Sequence, residues 1–381
     1  MKCEFKFNLF MGVIVYFLLY GCTLEKGNEN SLIQFDVSSS YIEKEVNLED
    51  VADIEYLQIE FDDDYLFSEV PHIITSEKII ICRFLVGDIL SFSRNGKPLF
   101  KFNHKGNGPE DYTNLYGGLI YDETSGEFFV KSDNKLIVYS ELGEFRRVIP
   151  LQGMFINQIV NYDSETLLLY NDYDSCPAPF FLISKDSGSV VTMIDVPKDK
   201  KVNILFSQTV EGSVLTLRAP SYLIVRYNNG YLLTDFSIDT VFFFSQGREL
   251  SPILVRKPAI QSMDPIIYMN SFIEAGNYEF VSVVTVKNEN NKLPRMYLMR
   301  DKKTGSIYRQ KITFNAFKGR QVTLSPETIA NTQDSKLGLI VLSLVELREA
   351  NSKNKLSGKL KELVDNSDEE GNDIYMLLHF K

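Results

Sequence analysis

Five segments of this chain repeat one pattern: a β-rich run, a polar turn holding a glycine, then a second β-rich run. They span residues 89–103 (ILSFSRNGKPLFKFN), 136–151 (LIVYSELGEFRRVIPL), 180–196 (FFLISKDSGSVVTMIDV), 241–255 (VFFFSQGRELSPILV) and 296–312 (MYLMRDKKTGSIYRQKI). The turn glycines Gly96, Gly143, Gly188, Gly247 and Gly305 follow one another at intervals of 47, 45, 59 and 58 residues. Glycine accommodates the positive φ that tight hairpins demand, so each segment reads as an antiparallel pair. Upstream of the first three lie further short strand pairs, at 72–75 with 78–83, 118–121 with 127–131, and 157–161 with 166–170. Each unit therefore offers four strands in roughly 45–60 residues, the size of one propeller blade.

The composition agrees with sheet: 27 Phe and 20 Tyr, with no Trp. Aromatic and β-branched residues fit a pleated, half-buried surface. The units alternate apolar and polar residues imperfectly, as sheets stacked face to face should, because both faces are buried. No βαβ rhythm and no glycine-rich phosphate loop after a strand is present, which sets aside a dinucleotide-binding fold. A tandem of β-sandwiches is the competing architecture. A formal net charge of −11 argues against a nucleic-acid surface, which needs a basic stripe.

Residues 1–21 read as a leader. Lys2 and Lys6 outweigh Glu4, and an unbroken apolar run of 12 residues follows from Leu9 to Tyr20. As a helix that run is only ~18 Å long, too short for a hydrocarbon core of roughly 30 Å, and it has the shape of a signal-peptide core. Leu18-Leu19-Tyr20-Gly21-Cys22 places a small residue before a cysteine, as a bacterial lipobox does, although Tyr20 stands where a small or aliphatic residue is usual. Cys22 is thus the expected lipidation site, and a diacylated, N-acylated cysteine satisfies the two-signal rule for stable anchoring. Residues 22–31 read as a polar tether and 32–381 as a single propeller domain.

Removal of the leader leaves 360 residues, which admits six or seven blades. The tail suggests how a ring closes: a strand at 339–345, a short helix at 353–365 with Leu356, Leu360 and Val364 at helical spacing, and a final strand at 374–380. An N-terminal strand at 54–61 is placed to pair within the terminal blade and remove an exposed edge. The helix reads as a surface cap.

Several short motifs carry a resemblance. They are the lipobox at Cys22, Gly106-Asn107-Gly108-Pro109-Glu110-Asp111-Tyr112 after the first hairpin, Asp239-Thr240-Val241-Phe242 with Pro252 downstream, and the closing strand ending Phe380-Lys381 after Asp368-Glu369-Glu370. In this order they resemble the six-bladed β-propeller lipoproteins of Bacteroidota-type bacteria. Asp111 departs from the glutamate usual there, and Asn372-Asp373 stands where the family often has Asn-Pro. The resemblance covers essentially the whole mature chain. It implies an all-β fold of six four-stranded antiparallel blades, with a short C-terminal helix before the closing strand. It also implies export and anchoring at the outer membrane. It brings no catalytic residues.

Lys105, Gly106, Asn107, Gly108, Pro109 and Glu110 form the loop most suited to a ligand, because successive glycine amides can build an anion-binding nest beside the Lys105 charge. The competing reading is an inter-blade turn with Tyr112 packed beneath it. Asp62-Asp63-Asp64 and Asp172-Tyr173-Asp174 carry the oxygen ligands that calcium wants, yet neither continues as an EF-hand loop, and solvated acidic loops explain them better. His72, His104 and His379 are far apart in sequence. No CxxC, HExxH or GxSxG pattern occurs, so no metal, cofactor or catalytic residue is assigned. Cys82 sits in the apolar run Ile79-Ile80-Ile81-Cys82 and reads as a small buried hydrophobe, although Cys176 leaves a disulfide open.

Two functions fit. The first is a non-enzymatic binding or scaffold protein, tethered to the membrane by lipid and presenting a propeller face to a protein, peptide or glycan. The second is a propeller hydrolase, lactonase or lyase that uses a cation in the central channel, which requires inward-facing carboxylates, Asn or His from several blades.

Overall fold

The computed structural model describes residues 32–381 apart from 61, 66, 117, 152–153, 155, 172–177, 198–201, 203, 211–212, 219–220 and 369–370. The leader, Cys22, the Asp172-Tyr173-Asp174 cluster and Cys176 therefore lie outside the described residues.

The strand pairs foreseen from the hairpins assemble into sheets in chain order. Blade 1 is Ile73–Ile74, Lys78–Arg83, Asp88–Ser93 and Pro98–Asn103; blade 2 is Leu119–Asp122, Glu127–Ser132, Lys135–Ser140 and Phe145–Pro150. Blade 3 runs from Ile156–Asn161 through Thr166–Asn171 and Phe180–Ser184 to Val190–Ile194. Blade 4 takes Ile224–Tyr227, Gly230–Leu233, Thr240–Ser245 and Leu250–Lys257, and blade 5 takes Ile267–Ala275, Tyr278–Thr285, Arg295–Asp301 and Ile307–Thr313. The sixth sheet, of three strands, joins Leu337–Leu342 and Ile374–Phe380 to the N-terminal strand Ala52–Gln58. These six blades form a ring, a β-propeller.

The burial pattern explains why the strands alternate so poorly. Middle strands are covered on both faces: Thr166–Asn171 is buried at every position. Outer strands touch a neighbour on one face only, and Pro98–Asn103 alternates regularly between half-buried and exposed. Aromatic side chains fill the gaps between blades. Phe102 of blade 1 meets Phe128 and Tyr139 of blade 2 at ring distances of 5.4 and 5.7 Å. Each fully buried ring of this kind contributes on the order of 2–3 kcal/mol.

The hairpin glycines behave as expected at four of the five turns: Gly96, Gly143, Gly188 and Gly305 have φ of 84°, 86°, 70° and 72°. Gly96 is needed twice over, because a Cβ there would lie 2.4 Å from the Gln58 carbonyl of the closing strand. At the fourth turn the left-handed residue is Arg248, with φ 63°, rather than Gly247.

Ring closure uses the strand foreseen. Ala52–Gln58 runs antiparallel to Ile374–Phe380, with Ile54 opposite Leu378. The segment just before the last blade then crosses to the first: the Ile74 amide donates to the Asn331 carbonyl at 2.7 Å, and the Gln333 amide donates to the Ile74 carbonyl at 2.9 Å. Two earlier strands were not legible in the sequence. Ile33–Asp36 and Glu43–Asn47 add in parallel to the outer edges of blades 4 and 5. They are short and, in EKEVN, mostly charged, so no period marks them. A two-stranded hairpin, Leu205–Val210 with Ser213–Arg218, also stands between blades 3 and 4.

The C-terminal helical region is two helices, Leu344–Ser352 and Gly358–Asp365, rather than one over 353–365. Asn354 adopts a positive φ of 54° between them, and Leu356 instead bridges to Phe317. Leu360 and Val364 are buried with Leu344 and Leu347 in the core shared by the last blades, so the helices cap that end of the ring.

Candidate functional site

The first strands of blades 1 to 4 and the 326–333 segment of blade 6 enclose an axial cavity of about 320 Å³. That volume falls at the lower end of small-molecule sites. Its apolar wall includes Ile73, Leu119, Ile159, Val225 and Ile329; its polar wall is mainly carboxamide, from Asn157, Gln158, Asn161, Asn331 and Gln333.

Several of these amides hold the ring together. Gln158 donates from Nε2 to the Ile224 carbonyl at 2.7 Å, and its Oε1 accepts from the Leu223 and Ile224 amides at 3.0 and 3.1 Å. Blade 3 is thereby clamped to blade 4. Asn331 donates to the Pro71 carbonyl at 2.9 Å, and Gln333 donates to the Tyr121 carbonyl at 2.5 Å, reaching blade 2 past the short first strand of blade 1. The inner ring is thus cross-linked by side chains where its backbone strands diverge.

Two titratable side chains of basic type line this cavity. His72 is packed edge-on against Phe84 at 5.5 Å and is among the residues lining the cavity. Burial pushes its imidazole down to about 4, so it is neutral at ordinary pH. Arg226, in the first strand of blade 4, lies 4.9 Å above the ring of Tyr231, its cross-strand partner. Among the described residues no carboxylate lines the cavity. The inward acids that a channel cation requires are not present in this lining, and no group of three or more Asp, Glu, His or Cys among the described residues could hold a metal ion.

The other sequence candidates lie elsewhere. In the 105–112 loop the Gly108 amide donates to Asp111 Oδ2 at 2.8 Å, and the Gly106 amide donates to the Tyr112 carbonyl at 3.1 Å. A Cβ on Gly106 would lie 2.2 Å from Asp111 Oδ2, so glycine is required there. The Lys105 ammonium donates to the Leu85 carbonyl at 2.7 Å, and Lys135 donates to the Pro109 carbonyl at 3.1 Å. Tyr112 is fully buried below, its hydroxyl donating to the Gly87 carbonyl at 2.5 Å and accepting from the His104 amide at 2.9 Å. The loop's own carboxylate thus occupies the glycine cradle, an arrangement that builds a turn between blades 1 and 2.

The three histidines do not converge. His104 stacks on Tyr139 at 4.8 Å and hydrogen-bonds the Gly143 carbonyl, while His379 meets Glu55 at 2.9 Å on the exposed face of the closing strand. Asp62 accepts from the Asp64 amide at 2.8 Å in a solvated turn. Cys82 is a free, fully buried thiol whose ionisation burial pushes up.

The model of the family described as Domain of unknown function (DUF4934) matches residues 32–379. The chain belongs to the DUF4934 family. This DUF4934 chain resembles a solved protein from Bacteroides fragilis NCTC 9343 that is named for its expected export, at 16% identity and a TM-score of 0.61. That likeness covers 92% of this chain and 99% of the other, and shows the fold. Weaker likenesses are to virginiamycin B lyase from Staphylococcus aureus (11% identity, TM-score 0.32, 68% and 98% covered) and to the Neurospora crassa Pan2 WD40 domain (10%, 0.37, 85% and 95%). No curated protein matches the chain. The axial residues, scattered over five blades, carry no local motif that singles them out in the sequence.

Proposed function

We propose that this DUF4934 protein is an exported, lipid-anchored binding protein whose propeller holds a small ligand on its axis. The observation that carries the reading is the axial cavity itself, enclosed by the inner strands of separate blades and lined by amides and aliphatic side chains. Rigid scaffolds that gather loops and strand ends around one concavity suit recognition. The lipobox sequence ending at Cys22 and the likeness to a protein named for expected export support the location.

Two measurements test it. Mass spectrometry of the protein from bacterial membranes should find acyl groups on Cys22, and a Cys22→Ser variant should leave the membrane fraction. Ala330 is exposed on the cavity wall, so Ala330→Trp should obstruct the cavity without disturbing the core. Native mass spectrometry of protein purified from its own bacterium should show a stoichiometric small-molecule adduct that Ala330→Trp removes. An adduct unaffected by Ala330→Trp would move the site off the axis. Chemical conversion of the adduct during incubation would show an enzyme instead.

A further inference from the structure

The chain is acidic, with a net charge of −11, yet its axial cavity is lined by a single permanent cation, Arg226, and by no described carboxylate. We propose that the axial site is selective for a small organic anion, a carboxylate or phosphate head on a partly apolar body, with Arg226 as its anchor. This rests on the axial-ligand reading above and specifies the ligand's chemistry.

The geometry of Arg226 carries the argument. Its guanidinium carbon lies 4.9 Å from the centre of the Tyr231 ring, within cation–π range, a contact that uses the face of the guanidinium and none of its N–H donors. Tyr231 is itself fixed: it is fully buried and donates its hydroxyl to the Asn161 carbonyl. Among the described residues, the guanidinium has neither a hydrogen-bond acceptor nor an ion-pair partner. A planar fork of five donors without an acceptor matches an oxyanion bidentately.

Acids of blades 2 and 3 and of the 326–333 segment are engaged by other cations. Asp163 takes Arg248 at 3.4 Å, Asp122 takes Lys185 at 2.6 Å, and Glu327 takes Arg295 at 3.2 Å. A second, smaller cavity of about 180 Å³ shares Arg226 and Ile329 with the axial one. Lys302, Lys336 and Lys381 border it; Lys302 is bound to Glu274 and Lys381 to Asp53, each at 3.3 Å. Of these, Lys336 has no ion pair among the described residues, so that side adds one further cation beside Arg226. Neutral His72 and the aliphatic wall suit the uncharged remainder of such a ligand.

The test titrates the full-length exported protein with benzoate, phenyl phosphate and the uncharged benzyl alcohol at fixed ionic strength, following binding by NMR or calorimetry. One of the two anions should bind at least ten-fold more tightly than benzyl alcohol. Arg226→Gln should weaken that anion at least ten-fold and leave benzyl alcohol unchanged, while Arg226→Lys should restore part of the loss. Circular dichroism of both variants checks that the ring is intact. Whether the carboxylate or the phosphate wins identifies the preferred head. Binding of benzyl alcohol as tight as either anion, or anion affinity indifferent to Arg226→Gln, overturns the anion proposal while the axial site stands. Failure of both anions to bind likewise overturns the anion proposal, and the axial reading is then decided by the adduct experiment with Ala330→Trp.

Discussion

Lys185 of the blade 3 hairpin reaches across to Asp122 of blade 2, placing its ammonium 2.6 Å from Oδ2 with both side chains almost wholly buried, at 5% and 2% exposure. The same ammonium donates to the Asp163 carbonyl at 2.6 Å, and Asp122 also accepts from Ser125 and from the Thr124 amide. The pair ties two neighbouring blades where a bare charge would be costly. Lys185→Met, which strands the carboxylate, should cost about 3–5 kcal/mol in chemical denaturation. Adding Asp122→Asn to that variant should recover part of the loss.

The same pair sets a pH dependence. Burial alone would raise the Asp122 carboxyl, but its hydrogen bonds with Lys185 and the turn outweigh that and hold it below the usual 3.8. A carboxyl lowered in the folded state stabilises fully above its unfolded value and ceases to do so as pH falls through the folded one. Thermal melts of the natural protein should therefore lose stability below about pH 4, and the double variant should lose less.

His72 acts over a higher window. Its imidazole is pushed down to about 4 by burial, against an unfolded value of 6.5. The unfolded chain binds the extra proton, so stability is complete above pH 6.5 and declines as pH falls toward 4. The full decline is about 3 kcal/mol at most. His72→Phe should flatten the melting temperature between pH 6.5 and 4 without altering the lower-pH loss that Asp122 causes.

Gln158 offers a test of the inner ring. Gln158→Ala removes three hydrogen bonds to blade 4 and leaves the Leu223 and Ile224 amides without their acceptor. A loss of about 2–4 kcal/mol is expected, with hydrogen exchange rising at 223–225 before it rises in the middle strands of blade 3. Gln158→Glu, which keeps the acceptor, should cost less at those two amides.

Tyr112→Phe should cost about 1–3 kcal/mol, since it leaves the Gly87 carbonyl and the His104 amide without their buried partner. Cys82, buried and held as a neutral thiol, should resist alkylation in the folded state and react at once in denaturant.

How much of this was legible follows from which contacts are local. Hairpins are, because a turn of a few residues pairs the strands on either side; hence the blades and the buried fate of Cys82 could be read from residue order, while the closing strand, foreseen at 54–61 and found at Ala52–Gln58, was legible only because a ring of blades must close. The strands Ile33–Asp36 and Glu43–Asn47 could not, because they are too short and, in EKEVN, too charged to show a period, and only partners more than two hundred residues away, at Leu254–Lys257 and Arg309–Thr313, reveal them. The axial site was invisible for the same reason. Gln158, Arg226 and Gln333 belong to units that show their proximity only once the ring is closed. The 105–110 loop stood out because Gly106 and Gly108 are unusual locally, and the structure gives that peculiarity a local cause in the Asp111 side chain.

The N-terminal strands also fix an order of events. Ile33–Asp36, Glu43–Asn47 and Ala52–Gln58 are made first, yet they dock on stretches beginning at Leu250, Ile307 and Ile374. During synthesis the leading strands must wait, unpaired, until Lys257, Thr313 and finally Phe380 have been made. Completion of the molecule is therefore a late, long-range event, of the kind that makes folding slow, and a nascent chain cut short before Ile374 leaves Ala52–Gln58 without its antiparallel partner.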